Sequence, residues 1–336
     1  IRLDKLFFHR SIVISYIELI EPDISLWKDS ANSHINIQPI ITKLKGNGSS
    51  KTKSFELAIN SVVIRKGKFS YNVLSEKRSD SYGKFDYNNI NISDIKADIK
   101  LPKIYEYGAE IQLKRLSMQE NSGFKVKSLS TTISISDSIV HASNLKLALN
   151  NSLIDIDSAY VKKAHKDGKI NHDSEIALNI SKNTVISTRD IAYCTSIPTG
   201  LDNSKLYLSL DAYGTVGQIQ LSELAIKSDD EFISLAVNNA ICSGLPVTDS
   251  VKINIPRIKA DIYPSKAPES ISAKLKSSLD SLGYINLDGN VNACMNGQSQ
   301  AMVSLNSNIG NIQIEPKFNG MLHLLSGQLK SNILID

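Results

Sequence analysis

Alternation of apolar and polar residues runs along most of this chain. Ile133, Ile135 and Ile139 are interleaved with Thr132, Ser134, Ser136 and Ser138, and the period of two returns at Leu145, Leu147 and Leu149. It recurs at Leu206, Leu208 and Leu210, at Ile233, Leu235 and Val237, at Val251, Ile253 and Ile255, and at Ile258, Ala260 and Ile262. Strands buried on both faces read as continuous apolar runs. One-sided alternation predicts antiparallel strands with an oily face and a wet face of Ser, Asn, Thr and Lys. Lys66-Gly67, Asp167-Gly168, Tyr213-Gly214 and Asp288-Gly289 read as turns, and residues 47–53, 75–83 and 162–173 as polar loops.

Two short helices interrupt the pattern. Ile37, Ile40, Ile41 and Leu44 follow helical spacing, with Pro39 in the first turn and Gly46 at the stop. Ile271, Leu275, Leu279 and Leu282 form one stripe between Ser270 and Gly283. At about 12 to 15 residues per strand and turn, the chain supplies roughly 20 to 25 strands, beyond the ~10 an open sheet holds before it curls. With neighbours ~4.8 Å apart, roughly 20 strands extend for about 100 Å. The expected architecture is all-β: a long twisted antiparallel sheet that must curl or fold over, with soft divisions at 1–46, 47–265 and 266–336.

Composition narrows the function classes. The chain has 336 residues, and 41% hydrophobic content is ample for a folded core. A net charge of +4, spread over 38 basic and 34 acidic residues without a basic run, argues against nucleic acid as a partner. No stretch reaches the roughly 20 apolar residues of a membrane span, and the start lacks the regions of a signal peptide. The chain opens at Ile1 and stops in a strand-like pattern at Asp336, so it reads as an internal fragment whose membrane anchor lies elsewhere. Cys194, Cys242 and Cys294 are far apart and read as isolated small apolar side chains. The six histidines do not pair at ligand spacing, so neither a metal nor a cofactor is implied.

The sequence reads as that of a non-enzyme. No GxSxG elbow, HExxH helix, Walker loop or GxGxxG fingerprint occurs. Asp155 and Asp157 have the i, i+2 spacing that could serve paired-carboxylate glycoside chemistry, but with Ile154 and Ile156 between and beside them they read as a solvated outer face.

Several runs carry a family likeness. Residues 12–26 with His34-Ile35-Asn36-Ile37 give a strand, Pro, strand opening; Gly83-Lys84-Phe85-Asp86-Tyr87-Asn88 and Glu120-Asn121-Ser122-Gly123-Phe124 are more specific. Thr188-Arg189-Asp190-Ile191-Ala192-Tyr193, Ser243-Gly244-Leu245-Pro246 and Leu282-Gly283-Tyr284-Ile285-Asn286-Leu287-Asp288-Gly289 follow in order. Together they resemble the TamB proteins of Bacteroidota, within the AsmA-like group of bridge-like lipid transporters. The resemblance implies a β-taco fold, a long antiparallel sheet curled into a U-shaped groove, and a periplasmic protein anchored in the inner membrane. It further implies contact with an outer-membrane β-barrel of the BamA superfamily (TamA-like), phospholipid as cargo, and a part in outer-membrane protein assembly. Candidate lipid-facing residues are Ile133, Ile135, Leu145, Leu147, Leu206, Leu208, Leu210, Leu235, Val237, Val251, Ile253 and Ile255. Asp-Ser followed by an apolar or small residue, as at Asp137-Ser138-Ile139, resembles the O-glycosylation sequon of Bacteroidota. Period alone builds an ordinary β-sandwich equally well. The competing function is a structural scaffold or adhesin with no lipid cargo.

Overall fold

The computed structural model describes residues 11–31, 33–39, 56–77, 82–105, 108–163, 170–197, 204–245, 250–267, 283–320 and 323–333. The chain is nearly all β, with a mostly antiparallel sheet that is not closed and very little helix. It divides into two compact units. The first takes 1–134, 146–150 and 192–195; the second takes 135–145, 151–191 and 196–336.

In the first unit β1 (Ser11–Ile14) pairs in parallel with β4 (Glu56–Ile59) as a small sheet of two strands. β2 (Ile17–Ile20) and β3 (Asp23–Lys28) both run parallel to β5 (Ser61–Val73). β5 then pairs antiparallel with β6 (Asn89–Tyr105), and β6 with β7 (Gly108–Glu120). Leu19, Ile64, Ala97 and Leu116 form a cross-strand apolar row, so alternation again separates an oily from a wet face. Asn36 covers part of the β3 edge. Its side-chain amide donates to the Ser25 carbonyl at 3.1 Å, and its Oδ1 accepts the Trp27 N–H at 3.2 Å. β8 (Lys125–Ser136) belongs to this unit up to Ser134.

The second unit holds residues 139–145 of β9 (Ile139–Ala148) and then a run of successive strands. These are β10 (Leu153–Lys162), β11 (Glu175–Ser187), β12 (Lys205–Thr215), β13 (Gln218–Ser228) and β14 (Ile233–Ser243). β15 (Lys252–Ile262), β16 (Ile285–Cys294), β17 (Gln298–Ser307), β18 (Gly310–Asn319) and β19 (His323–Ile333) complete it. From β10 to β19 each strand pairs antiparallel with the next. One helical turn, Thr188–Ile191, follows β11, and a 3-10 turn, Pro264–Lys266, follows β15.

Several expected punctuation points lie inside strands. Lys66-Gly67 falls within β5, where Lys66 takes φ +53 and the register with β6 slips: the pair makes a bulge, not a turn. Tyr213-Gly214 lies near the end of β12, and the reversal comes after Thr215. Asp288-Gly289 sits in the middle of β16, where a Cβ on Gly289 would lie 2.4 Å from the Met302 carbonyl oxygen. That glycine serves close approach of two strands. The apolar run from Ile133 to Ile139 is cut by Asp137-Ser138, and the Ser136 hydroxyl accepts the Ile139 N–H at 3.0 Å. The helix expected over 37–46 opens at Gln38–Pro39, and its remainder lies outside the described residues. So do Asp167-Gly168, nearly all of the 270–283 stripe, and loop 47–53.

Candidate apolar lipid-holding face

In an antiparallel sheet, residues paired across strands point to the same face. Ile180, Leu210, Leu224, Val237, Ile258, Gly289, Val303 and Ile314 are successive partners from β11 to β18. A second row beside it reads Thr184, Leu208, Ile226, Leu235, Ala260, Leu287, Leu305 and Ile312. Neither row carries a charge. Eight strands at ~4.8 Å spacing make each row about 34 Å long. The opposite face carries Asn179, Asp211, Glu223, Asn238 and Arg257 in register, then Lys259, Asp288, Ser304 and Gln313.

The apolar rows are only half covered. Val237 is buried at 6% exposure, whereas Ile180, Leu210, Leu224, Ile258, Val303 and Ile314 keep intermediate exposure. In the second row Leu208, Ile226, Leu235, Leu287, Leu305 and Ile312 are intermediate as well. Two sheets packed face to face interdigitate side chains across ~10 Å and take such residues out of water. This face lacks that degree of burial and keeps a contiguous, partly exposed apolar surface, the kind of surface found at interaction sites.

Bulges keep the face continuous. In β13 the apolar positions shift phase between Leu221 and Leu224, in β14 between Val237 and Ala240, and in β15 between Ile255 and Ile258. A step of three would send the side chains to the wrong side of a regular strand; the extra residue restores them. Asn239 makes the β14 bulge with φ +55, a conformation Asn tolerates better than most residues. Pro256 falls in the β15 bulge, where neither neighbouring strand pairs with it, so its missing N–H costs no ladder bond. In β11 residues 181–183 bulge out between Ile180 and Thr184. Bulges bend and twist the strands that carry them.

Thr184 closes the β10–β11 irregularity. It is fully buried, and its hydroxyl accepts the Asp155 N–H and donates to the Asp155 carbonyl, both at 3.0 Å. Thr184→Val keeps the shape but orphans both backbone groups. We expect it to cost about 1–3 kcal/mol in urea unfolding, with Thr184→Ser close to the parent.

One edge of the second unit has its own electrostatics. Glu231, in the β13–β14 turn, pairs with Lys227 at 2.9 Å and with Lys266, which also lies over the Tyr263 ring. Hydrogen bonds from Lys266 and Lys227 lower the Glu231 pKa to about 2. Because its folded value is depressed, its contribution is complete above the unfolded pKa near 4.5 and is lost as pH falls toward about 2. Glu231→Gln should therefore flatten the fall in melting temperature between roughly pH 4.5 and pH 2. The pair is solvent-exposed, so the effect at neutral pH is small.

Comparison with known proteins gave no match to a family model, a curated protein or a solved structure.

Seven of the twelve candidate residues share the oily face of the second unit: Leu206, Leu208, Leu210, Leu235, Val237, Ile253 and Ile255. Val251 immediately precedes β15, and its carbonyl accepts the Met295 N–H at 2.9 Å. Ile133 and Ile135 lie in β8, the latter 40% exposed, and Leu145 and Leu147 lie in β9, both half-buried. Residues unnoticed in the sequence include Ile180, Leu224, Ile226, Leu305 and Ile314, whose place follows from register.

The remaining candidate chemistry does not assemble. Asp157 is exposed on the wet face and lines a shallow depression with Asn179, Lys182, Asp211 and Glu223, whereas Asp155 is engaged through its backbone by Thr184. Cys242 faces Ile253 and Ala293 on the oily side, while Cys294 pairs with Lys252 on the other. With β15 between them they stand about two strand spacings apart, beyond disulfide reach. Among the described residues no group of three His, Cys, Asp or Glu could hold a metal ion. Among the same residues no helix is long and apolar enough to cross a membrane.

Three of the family-like runs meet in space. Phe85 packs edge-on to Phe124 with centroids 4.8 Å apart, and Tyr193 lies 5.4 Å from Phe124 and 5.9 Å from Phe85. The Phe85 N–H donates to the Tyr193 carbonyl at 2.9 Å. Glu120, nearly buried, accepts the Ser122 N–H at 2.6 Å and the Asn91 N–H at 3.1 Å. The three rings pack on one another and the Glu120 carboxylate is taken up by backbone N–H groups, so the cluster ties the chain together locally.

Proposed function

We propose that this chain holds phospholipid acyl chains against its apolar sheet face and serves as part of a bridge along which lipid moves between inner and outer membranes. The reading rests on one observation: uncharged rows about 34 Å long, by strand spacing, whose Leu, Ile and Val side chains, Val237 apart, are only half-buried. Each methylene sheltered from water gains ~0.8 kcal/mol, so two acyl chains gain on the order of 20 kcal/mol. A face built from similar side chains gives nearly uniform shelter, so an acyl chain can shift from strand to strand without one deep well. No residue need be catalytic. The likeness to the TamB group supports the same reading, with a periplasmic location, an inner-membrane anchor, a BamA-superfamily barrel as partner and a role in outer-membrane protein assembly as parts of the proposal.

Purification of the chain from cells with native membranes, followed by organic extraction and mass spectrometry, tests it. Phospholipid should leave with the protein in a reproducible molar ratio. A folded, lipid-free chain that also fails to take up phospholipid from vesicles would favour a structural scaffold or adhesin and end the lipid reading.

A further inference from the structure

The wet face of the first unit concentrates positive charge where its strands are irregular. β5 contributes Arg65 and Lys66, the latter at the φ +53 bulge; β6 contributes Lys96 and Lys100; β7 contributes Lys114 and Arg115. The β6–β7 register slips between Asp98–Arg115 and Ile99–Leu113, so Lys114 is the unmatched residue of a bulge. Arg65, Lys66, Lys96 and Arg115 line a depression of about 570 Å³, with Asp98 as the single carboxylate in its wall. Those cations differ in how they are engaged. Arg65 is bonded to Glu18, Lys66 lies 3.5 Å from Glu21, and Lys96 lies 3.0 Å from Asp94. Arg115 makes no ion pair among the described residues, although Asp98 is its cross-strand partner. Lys100 meets the like charge of Lys114, which pushes its pKa down.

A sheet that holds two ammonium groups together beside an unengaged guanidinium has positive charge its own carboxylates do not neutralise. A monoanion such as a carboxylate meets at most a bidentate guanidinium. A phosphate group offers charge and oxygens for a guanidinium and two ammoniums at once. We propose that this depression on the wet face of β5–β7 binds a phosphate-type oxyanion, with Arg115 as its fork and Lys96, Lys100 and Lys114 as its flanking charges. The site is separate from the oily face of the second unit and does not depend on lipid being held there.

Calorimetric titration of the chain with inorganic pyrophosphate at low salt, alongside flotation with phosphatidylglycerol and phosphatidylcholine vesicles, tests it. Pyrophosphate should bind with an affinity that falls as salt rises, and Arg115→Ala and the pair Lys100→Ala with Lys114→Ala should each weaken it about tenfold or more. Lys182→Ala, on the wet face of the other unit, should leave it unchanged. All these side chains are exposed, so circular dichroism should show each variant folded. If phosphatidylglycerol vesicles also float the chain and pyrophosphate competes, the oxyanion can be a lipid headgroup; pyrophosphate binding without flotation assigns a soluble phosphate. The absence of pyrophosphate binding, or an equal loss in Lys182→Ala, would overturn the site.

Discussion

Leu210→Asp should strip phospholipid from the purified chain while the sheet remains folded. Leu210 lies in the first apolar row, flanked by Ile180 and Leu224, and all three are half-buried. In the free chain the new carboxylate can reach water, so the sheet tolerates it. Against an acyl chain it must be desolvated without a partner, a penalty of several kcal/mol that exceeds what a few methylenes supply. We expect the lipid-to-protein ratio to fall by at least tenfold, since about 1.4 kcal/mol already gives that factor. Asn238→Asp puts the same charge on the opposite face, in register with Arg257 and Glu223, and should leave the ratio near the parent. Extraction and mass spectrometry give the ratio, and circular dichroism checks the fold. Equal lipid in the parent and in a folded Leu210→Asp chain would show that this face is not where lipid sits.

Gly289→Ala should be among the most damaging small substitutions in the second unit. The added methyl would lie 2.4 Å from the Met302 carbonyl oxygen and 3.2 Å from the Val303 Cα. Both obstacles are backbone of the neighbouring strand, so relief requires β16 and β17 to separate and their ladder bonds to lengthen. A loss of about 1–3 kcal/mol is expected, the range for overpacking a closed site. Gly217→Ala, where the nearest atom is the His172 carbonyl oxygen at 3.1 Å, should cost less. Thermal unfolding of both variants measures the difference. A Gly289→Ala chain as stable as the parent would mean that β16 and β17 do not approach so closely.

What could be read from the sequence was the face, and what could not was the register. Leu206, Leu208 and Leu210 announce their shared side because strand geometry has a period of two, and Leu235 with Val237 does the same. Between Ile255 and Ile258 the spacing is three, which in isolation reads as two separate strands. Only the bulge at Pro256 and Arg257 makes it one strand with one oily side. Bulges escape because Asn239, Lys66 and Asp94 adopt positive φ without being glycine. Conversely, glycine beside a polar residue reads as a turn, yet Gly289 is glycine because β17 crowds it and Gly67 because the side chains of Ile64, Ile95 and Pro22 do. Thr184 gave no signal, and Asp190 gave none beyond its place in a family-like run, since their work is to satisfy backbone made irregular by the fold. Asp190 is 4% exposed and accepts the Asn151 N–H and side-chain amide, both at 2.9 Å. The partial exposure of the apolar face was likewise invisible, because a sandwich and a gutter share one alternation.

Site-specific photocrosslinking in cells separates these two outcomes most directly. A photoreactive side chain is placed in turn at Leu208, Leu224 and Ile258 on the oily face and at Asp211, Glu223 and Arg257 on the wet face. Intact-mass analysis should find phospholipid adducts at the first three positions and none at the last three. Adducts spread equally over both faces, or absent from both in a folded chain, would contradict an apolar face that carries lipid.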